Sequence, residues 1–207
     1  FCILVLINGT NFIDGLNGLA LGYYIAITVI ILFFTNEKNI FFEIENCKYF
    51  IITLIILFIY NFVNKLFIGD SGAYLLGFIY ALNLISYYEL NMNISPFFII
   101  VLLWYPCFEL LFSIIRKFNL KKSPVDPDIR HLHQLLFFYI NKKLFFTKLT
   151  SNNISSLLIV LFNFLIFYIA SRNLQNSQFQ IIIVLTSILI YSLLYAKLLK
   201  FRILYKK

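Results

Sequence analysis

"INGTNFIDGLNGLALG" runs from Ile7 to Gly22 and interrupts a chain otherwise rich in Phe, Ile and Leu. It carries three asparagines, one aspartate and four glycines. A second interruption, "FIGDSGAYLLGF" at Phe67–Phe78, has the same character. Around them, the 207 residues are 61% hydrophobic and 13% charged, with a mean hydropathy of +0.88. A soluble globular domain is nearer half apolar and a quarter charged. The chain therefore reads as an all-α, polytopic membrane helix bundle. Irregular backbone at membrane depth must be buried in protein or line a wet cavity, so the two polar stretches are expected at the membrane surface.

Six apolar segments are long enough to cross, or nearly cross, a bilayer that needs about 20 residues: Leu19–Phe34, Tyr49–Val63, Ala73–Tyr88, Pro96–Ile115, Ile154–Ala170 and Gln180–Leu199. A seventh, Phe1–Ile7, is too short and reads as the tail of a helix. We expect a single transmembrane catalytic domain over 1–207, the C-terminal part of a longer protein. Alternating the connections places 14 of the 17 Lys and Arg residues on one side. Positively charged loops stay cytoplasmic, so that side, which carries both polar stretches, is expected to face the cytoplasm. The net charge of +8 is then topology plus attraction to anionic headgroups, and no nucleic-acid partner is expected. Cys2, Cys47 and Cys107 lack any paired metal or redox spacing and read as packing residues.

Three polar clusters carry candidate chemistry. Asn8, Asn11 and Asp14 recur every three residues, so in a helix they share one face. The plainer alternative is a turn in which Asp14 or Asn17 caps the next helix. Asp70 in Gly69-Asp70-Ser71-Gly72, after Lys65 and Phe67, has the same two readings: helix cap, or carboxylate at the mouth of a bundle. Two such sites on one face suit Mg²⁺ with a diphosphate, because Mg²⁺ is held by one or two carboxylates plus phosphate oxygens and water. The third cluster is "KKSPVDPDIRHLHQLLF" at Lys121–Phe137. Pro124 and Pro127 exclude a regular helix up to about Asp128. His131 and His133 point the same way in an extended chain and diverge by about 160° in a helix. With no thiolate nearby and no third obvious ligand, zinc is a poor reading. Phosphate binding by Arg130 and the histidines suits a loop this basic. Glu109, inside an apolar segment, is a functional candidate because an intramembrane carboxylate is costly; the structural alternatives are snorkelling to the surface or a bond to Tyr105 or Ser113.

In chain order, "NGTNFIDGLNGLA", "FIGDSGAYLLG" and "SPVDPDIRHLHQLL" resemble the polyprenyl-phosphate N-acetylhexosamine-1-phosphate transferases, the MraY/WecA-like glycosyltransferase family 4, over about Ile3–Phe137. The resemblance implies a multi-pass enzyme of the bacterial inner membrane with its site facing the cytoplasm. It implies transfer of a sugar 1-phosphate from a UDP-N-acetylhexosamine to undecaprenyl phosphate, with Mg²⁺ and release of UMP. It further implies that Asp70 holds the metal and that Phe67 stacks on uracil. Asn8, Asn11 and Asp14 then line the nucleotide pocket, and Arg130, His131 and His133 engage phosphate or sugar. Lys65 adds positive charge. Asn61 stands near the position of the asparagine that precedes the family's Gly-Asp pair, one residue out of register.

The chain also departs from the family. Asn17 replaces the second aspartate of a D-G-x-D-G run, keeping a hydrogen-bonding side chain and losing a charge. Gln134 replaces a third histidine, which argues for the branch that starts O-antigen or other polysaccharides rather than the peptidoglycan enzyme. The family's Asp-Asp pair has no counterpart before Asn8. A catalytically incomplete fragment and a membrane transporter are therefore the alternatives, and the oligomeric state, homodimer included, stays open.

Overall fold

The computed structural model describes residues 1–35, 44–121 and 130–206. All regular structure among them is helical: α1 (Cys2–Ile13), α2 (Leu19–Phe34), α3 (Ile44–Phe62), α4 (Gly69–Leu90), α5 (Pro96–Asn119), α6 (Leu132–Lys143), α7 (Lys148–Ser171) and α8 (Ser177–Lys206). The six expected segments are the bodies of α2, α3, α4, α5, α7 and α8. The side chain of Cys47 and the segment with Pro124 and Pro127 lie outside the described residues. Cys2 and Cys107 are free thiols, as their spacing suggested.

Helices α5, α7 and α8 are long and apolar enough to cross a membrane, and α2 and α3 are shorter apolar helices. Helix α4 forms where expected but falls short of that apolar content; Asp70, Asn83 and Glu89 interrupt it. α1 carries the expected helix tail on through Asn8 and Asn11 to Ile13, and α6, not foreseen as a helix, begins within the basic loop after Arg130.

α2 is the central element. Leu19, Ala20, Tyr23, Tyr24, Ile27 and Ile30 are fully buried in it, with α7 and α3 packed against it and α1 in contact at its start. Hydroxyls supply hydrogen bonds where lipid and water cannot. Thr10 of α1 bonds Tyr24 of α2, Thr28 of α2 bonds Tyr80 of α4, and Tyr80 also donates to the Tyr24 carbonyl at 2.9 Å. These bonds tie α1 and α4 to the centre and so hold together the two helices that carry the polar motifs.

Proline inside α5 has a matching device. Pro106 has no N–H to give to the carbonyl of Leu102, four residues before it. Tyr23 donates its hydroxyl to that carbonyl instead, at 2.7 Å. An unsatisfied carbonyl in this interior costs roughly 1–3 kcal/mol. Tyr23→Phe is accordingly expected to lower the melting temperature of the full-length protein in detergent. An unchanged melting temperature would mean that Leu102 finds another donor.

Candidate functional site

One end of the bundle gathers the C-terminus of α1, the N-termini of α4, α6 and α7, and the end of α3. Asp14 is the residue that ends α1, its N–H bonded to the carbonyls of Thr10 and Asn11 at 3.2 Å. The capping alternative therefore does not hold: Gly18 occupies the cap of α2, and no side chain caps it. Asp70 is likewise not the cap of α4, a place held by Ile68. It lies in the first turn, where the peptide dipoles favour an anion. Asn11 donates its amide to Asp70 Oδ1 at 2.8 Å, which joins the first and second motifs. Burial, and after it the charge of Asp70, raise the Asp14 carboxyl from 3.8 to about 7. Two carboxylates thus stand close enough to feel each other. Asn8 lies one turn earlier, exposed, with its amide turned back to the Leu4 carbonyl at 2.8 Å.

Below this pair, asparagines lock the loop in place. Asn61 accepts from Gly18 N–H and donates to Leu66 O at 2.8 Å. Asn17 donates its side-chain amide to Asn64 Oδ1 at 3.2 Å and its backbone N–H to Asn152 Oδ1 at 2.8 Å. Both residues are buried. Their amides are engaged in holding α1, α3 and α7 together, a scaffold role beneath the carboxylates. Lys65 is exposed in the α3–α4 connection. Phe67 follows it and leaves 73% of its surface open.

The histidine cluster closes on the same place. Arg130 is half-buried just ahead of it. His131, in extended conformation, occupies the cap of α6, and His133 sits in its first turn. The bend lets their rings lie nearly parallel, 5.5 Å apart and 8° out of plane, despite the helix that follows. Phe12 of α1 meets His131 edge-on at 5.0 Å. His133 packs against Gly15 so closely that a Cβ there would overlap the ring. His133 is fully buried and neither ring nitrogen has a protein partner. Burial drives its pKa down from 6.5 to about 4, so the ring is neutral at pH 7. No cluster of three or more His, Cys, Asp or Glu suited to a metal occurs among the described residues.

Sequence reasoning placed Glu109 beside Tyr105 or Ser113, and the structure corrects this. Its partners are His131, the backbone N–H of Leu132 and Tyr191. Ser113 instead accepts from Arg116 at 3.1 Å. Phe12, Lys117 and Tyr191 were missed: aromatic residues in so aromatic a chain carry no local signal, and Lys117 reads as one more loop cation. Lys117 is in fact buried, with its ammonium 5.8 Å from the Phe12 ring.

Residues 1–88 match the family described as Glycosyl transferase family 4. Among curated relatives, the chain is 28% identical over 137 residues to an undecaprenyl-phosphate alpha-N-acetylglucosaminyl 1-phosphate transferase of Thermotoga maritima, covering 66% of this chain and 41% of that protein. It is 31% identical over 139 residues to a probable undecaprenyl-phosphate N-acetylglucosaminyl 1-phosphate transferase of Bacillus subtilis, covering 62% and 37%. A decaprenyl-phosphate N-acetylglucosaminephosphotransferase of Mycobacterium leprae is 28% identical over 158 residues, covering 63% and 38%. The chain thus spans about two fifths of the length of the curated relatives it matches. No solved structure matches it significantly. The likeness to Glycosyl transferase family 4 thus rests on residues 1–88 and on relatives that share the three motifs' part of the chain, and those motifs converge at one end of the bundle.

Proposed function

We propose that the full-length protein transfers N-acetylhexosamine 1-phosphate from a UDP-sugar to undecaprenyl phosphate, and that the lipid-linked product starts a cell-surface polysaccharide. The observation that carries this reading is the meeting of Asp14, Asp70, His131 and His133, from α1, α4 and α6, at one end of a membrane bundle. The relatives' names speak for UDP-N-acetylglucosamine as the first donor to try. With 14 of 17 basic residues on that side, the site faces the cytoplasm of a bacterial inner membrane.

The reaction exchanges one phosphoanhydride for another. An oxygen of the lipid phosphate attacks the β-phosphorus of the UDP-sugar. The bond from that phosphorus to the bridging oxygen breaks, and its electron pair leaves with UMP. Such a transfer requires alignment and charge neutralisation more than a reactive protein nucleophile. Asp14 and Asp70 fit a hard divalent cation: they are two oxygen donors close enough for the charge of Asp70 to raise the Asp14 carboxyl. Mg²⁺ bound there would neutralise diphosphate charge. Asn11 orients Asp70. The neutral His133 ring brings a hydrogen-bond donor without a competing partner. Arg130 and Lys65 supply positive charge for the phosphates, and Phe67 offers an open aromatic face to the base.

The test uses the full-length protein in membranes with undecaprenyl phosphate, Mg²⁺ and a panel of radiolabelled UDP-N-acetylhexosamines. Label in the lipid phase with equimolar UMP is the expected result. UDP-sugar uptake or binding with no lipid product for any donor would replace the transferase with a transporter or an incomplete binding protein. In the same assay Phe67→Ala should raise KM for the UDP-sugar about tenfold, the worth of a stacking contact of roughly 1–3 kcal/mol, with kcat little changed. Equal KM values for Phe67→Ala and wild type would remove the stacking role.

A further inference from the structure

Glu109 is completely buried in α5, a helix long enough to span the membrane. A carboxylate at such a position is costly. Its partners come from two other helices. Oε1 lies 2.9 Å from His131 Nδ1 and accepts from Leu132 N–H at 3.3 Å, while Oε2 accepts from the Tyr191 hydroxyl of α8 at 2.7 Å. Leu132 N–H and the Tyr191 hydroxyl both donate to it, which suits an ionised carboxylate, a group that only accepts. His131 must then hold its proton on Nδ1. The rings of Phe12 and His133 flank it, which opposes the ring flip that would exchange its nitrogens.

We infer that Glu109 is a positioning residue for His131: it holds a proton on Nδ1 and directs Nε2 toward the substrate. The two histidines are thereby made different. His131 is held by an acid in the interior, whereas His133 has no protein partner on either nitrogen. The inference rests on the transfer reading for its kinetic consequence and on geometry alone for the tautomer. An outer group that orients a functional histidine is worth roughly 10- to 100-fold in activity.

The experiment uses full-length protein in lipid nanodiscs with ¹⁵N-labelled histidine, His131 being assigned by its loss in His131→Ala. Wild type should give the ¹⁵N shifts of an Nδ1–H ring. Glu109→Gln, whose amide can donate as well as accept, should lose that uniform state. In the transfer assay Glu109→Gln should cut kcat by about 10- to 100-fold with KM for the UDP-sugar within about twofold. Glu109→Gln/His131→Ala should be no slower than His131→Ala, since residues acting through one another are not additive. A purely structural role would instead give additive losses. An Nε2–H ring in wild type, or additive losses, would overturn the inference. Should Glu109→Gln fail to accumulate, the wild-type tautomer decides. Should the wild type make no lipid product, the transfer reading fails and the tautomer measurement still judges this one.

Discussion

Asp70→Asn should reduce transfer by full-length protein about 10²- to 10³-fold in kcat, the scale set by removing one electrostatic contact to a transition state, while the protein still folds. The fold is expected to survive because Asp70 is exposed in the first turn of α4 and its one protein contact shown here is with Asn11; an asparagine oxygen can still accept that amide. What disappears is the second negative charge at the site. The same assay carries a pH signature through Asp14. Its carboxyl is raised from 3.8 to about 7, by burial first and by Asp70 second. A folded-state pKa above the unfolded value means that the folded chain keeps a proton which the unfolded chain gives up. Without metal, stability therefore falls as pH rises from about 4 to about 7. Mg²⁺ competes with that proton, so the half-saturating Mg²⁺ concentration should climb as pH drops below about 7. In Asp70→Asn the climb should start at lower pH, because one of the two causes is gone. Near-normal transfer by Asp70→Asn, or Mg²⁺ dependence indifferent to pH between 5.5 and 8, would sink the two-carboxylate site.

How far the sequence could see depended on the range of the interactions. The bodies of six helices followed from unbroken apolar runs, because hydrophobicity over about 20 residues is a local property. The helicity of the Asn8–Ile13 stretch was not local. Asn8 closes a bond within its own turn, and Thr10 finds Tyr24 in α2, so polar residues that suggest a loop are satisfied inside a packed helix. Asp14, Asp70 and the histidines stood out because charge and imidazole are rare in so apolar a chain. Asn61 is polar too, yet its amide serves backbone groups of the loop, and that of Asn17 donates to Asn64, a difference no spacing rule distinguishes. For Glu109, spacing along one helix offers only residues a turn away. Its actual side-chain partners are 22 and 82 positions distant.

Gly15→Ala is expected to cost about 100-fold in kcat while leaving the bundle folded. A Cβ at Gly15 would overlap Nε2 of His133 and come within 3.1 Å of its Cδ2. The ring has nowhere to retreat, being fully buried, and it stacks on His131 at 5.5 Å. His131 is in turn bonded to Glu109 and flanked by Phe12. One methyl group therefore has to be absorbed by shifting the paired rings or by moving Asp14, the neighbour of Gly15, away from Asp70. Either displacement is of the order of 1 Å, and a misplacement of that size costs about 10²-fold in a reaction that depends on alignment. The bundle should stay folded, because Gly15 lies at the exposed surface of the loop, although crowding the buried ring costs about 1–3 kcal/mol of stability. Gly69→Ala is the matching control. Gly69 has a left-handed φ of +68° but nothing within 4 Å of a Cβ, so alanine there meets backbone strain of about 1 kcal/mol without touching the histidines. The comparison separates the two costs: both variants should lose a few degrees of melting temperature, but Gly69→Ala should keep most of its rate and Gly15→Ala should not. If Gly15→Ala kept its rate, the contact between the first motif and the histidine cluster would be mere packing, and His133 would lose its claim on the substrate.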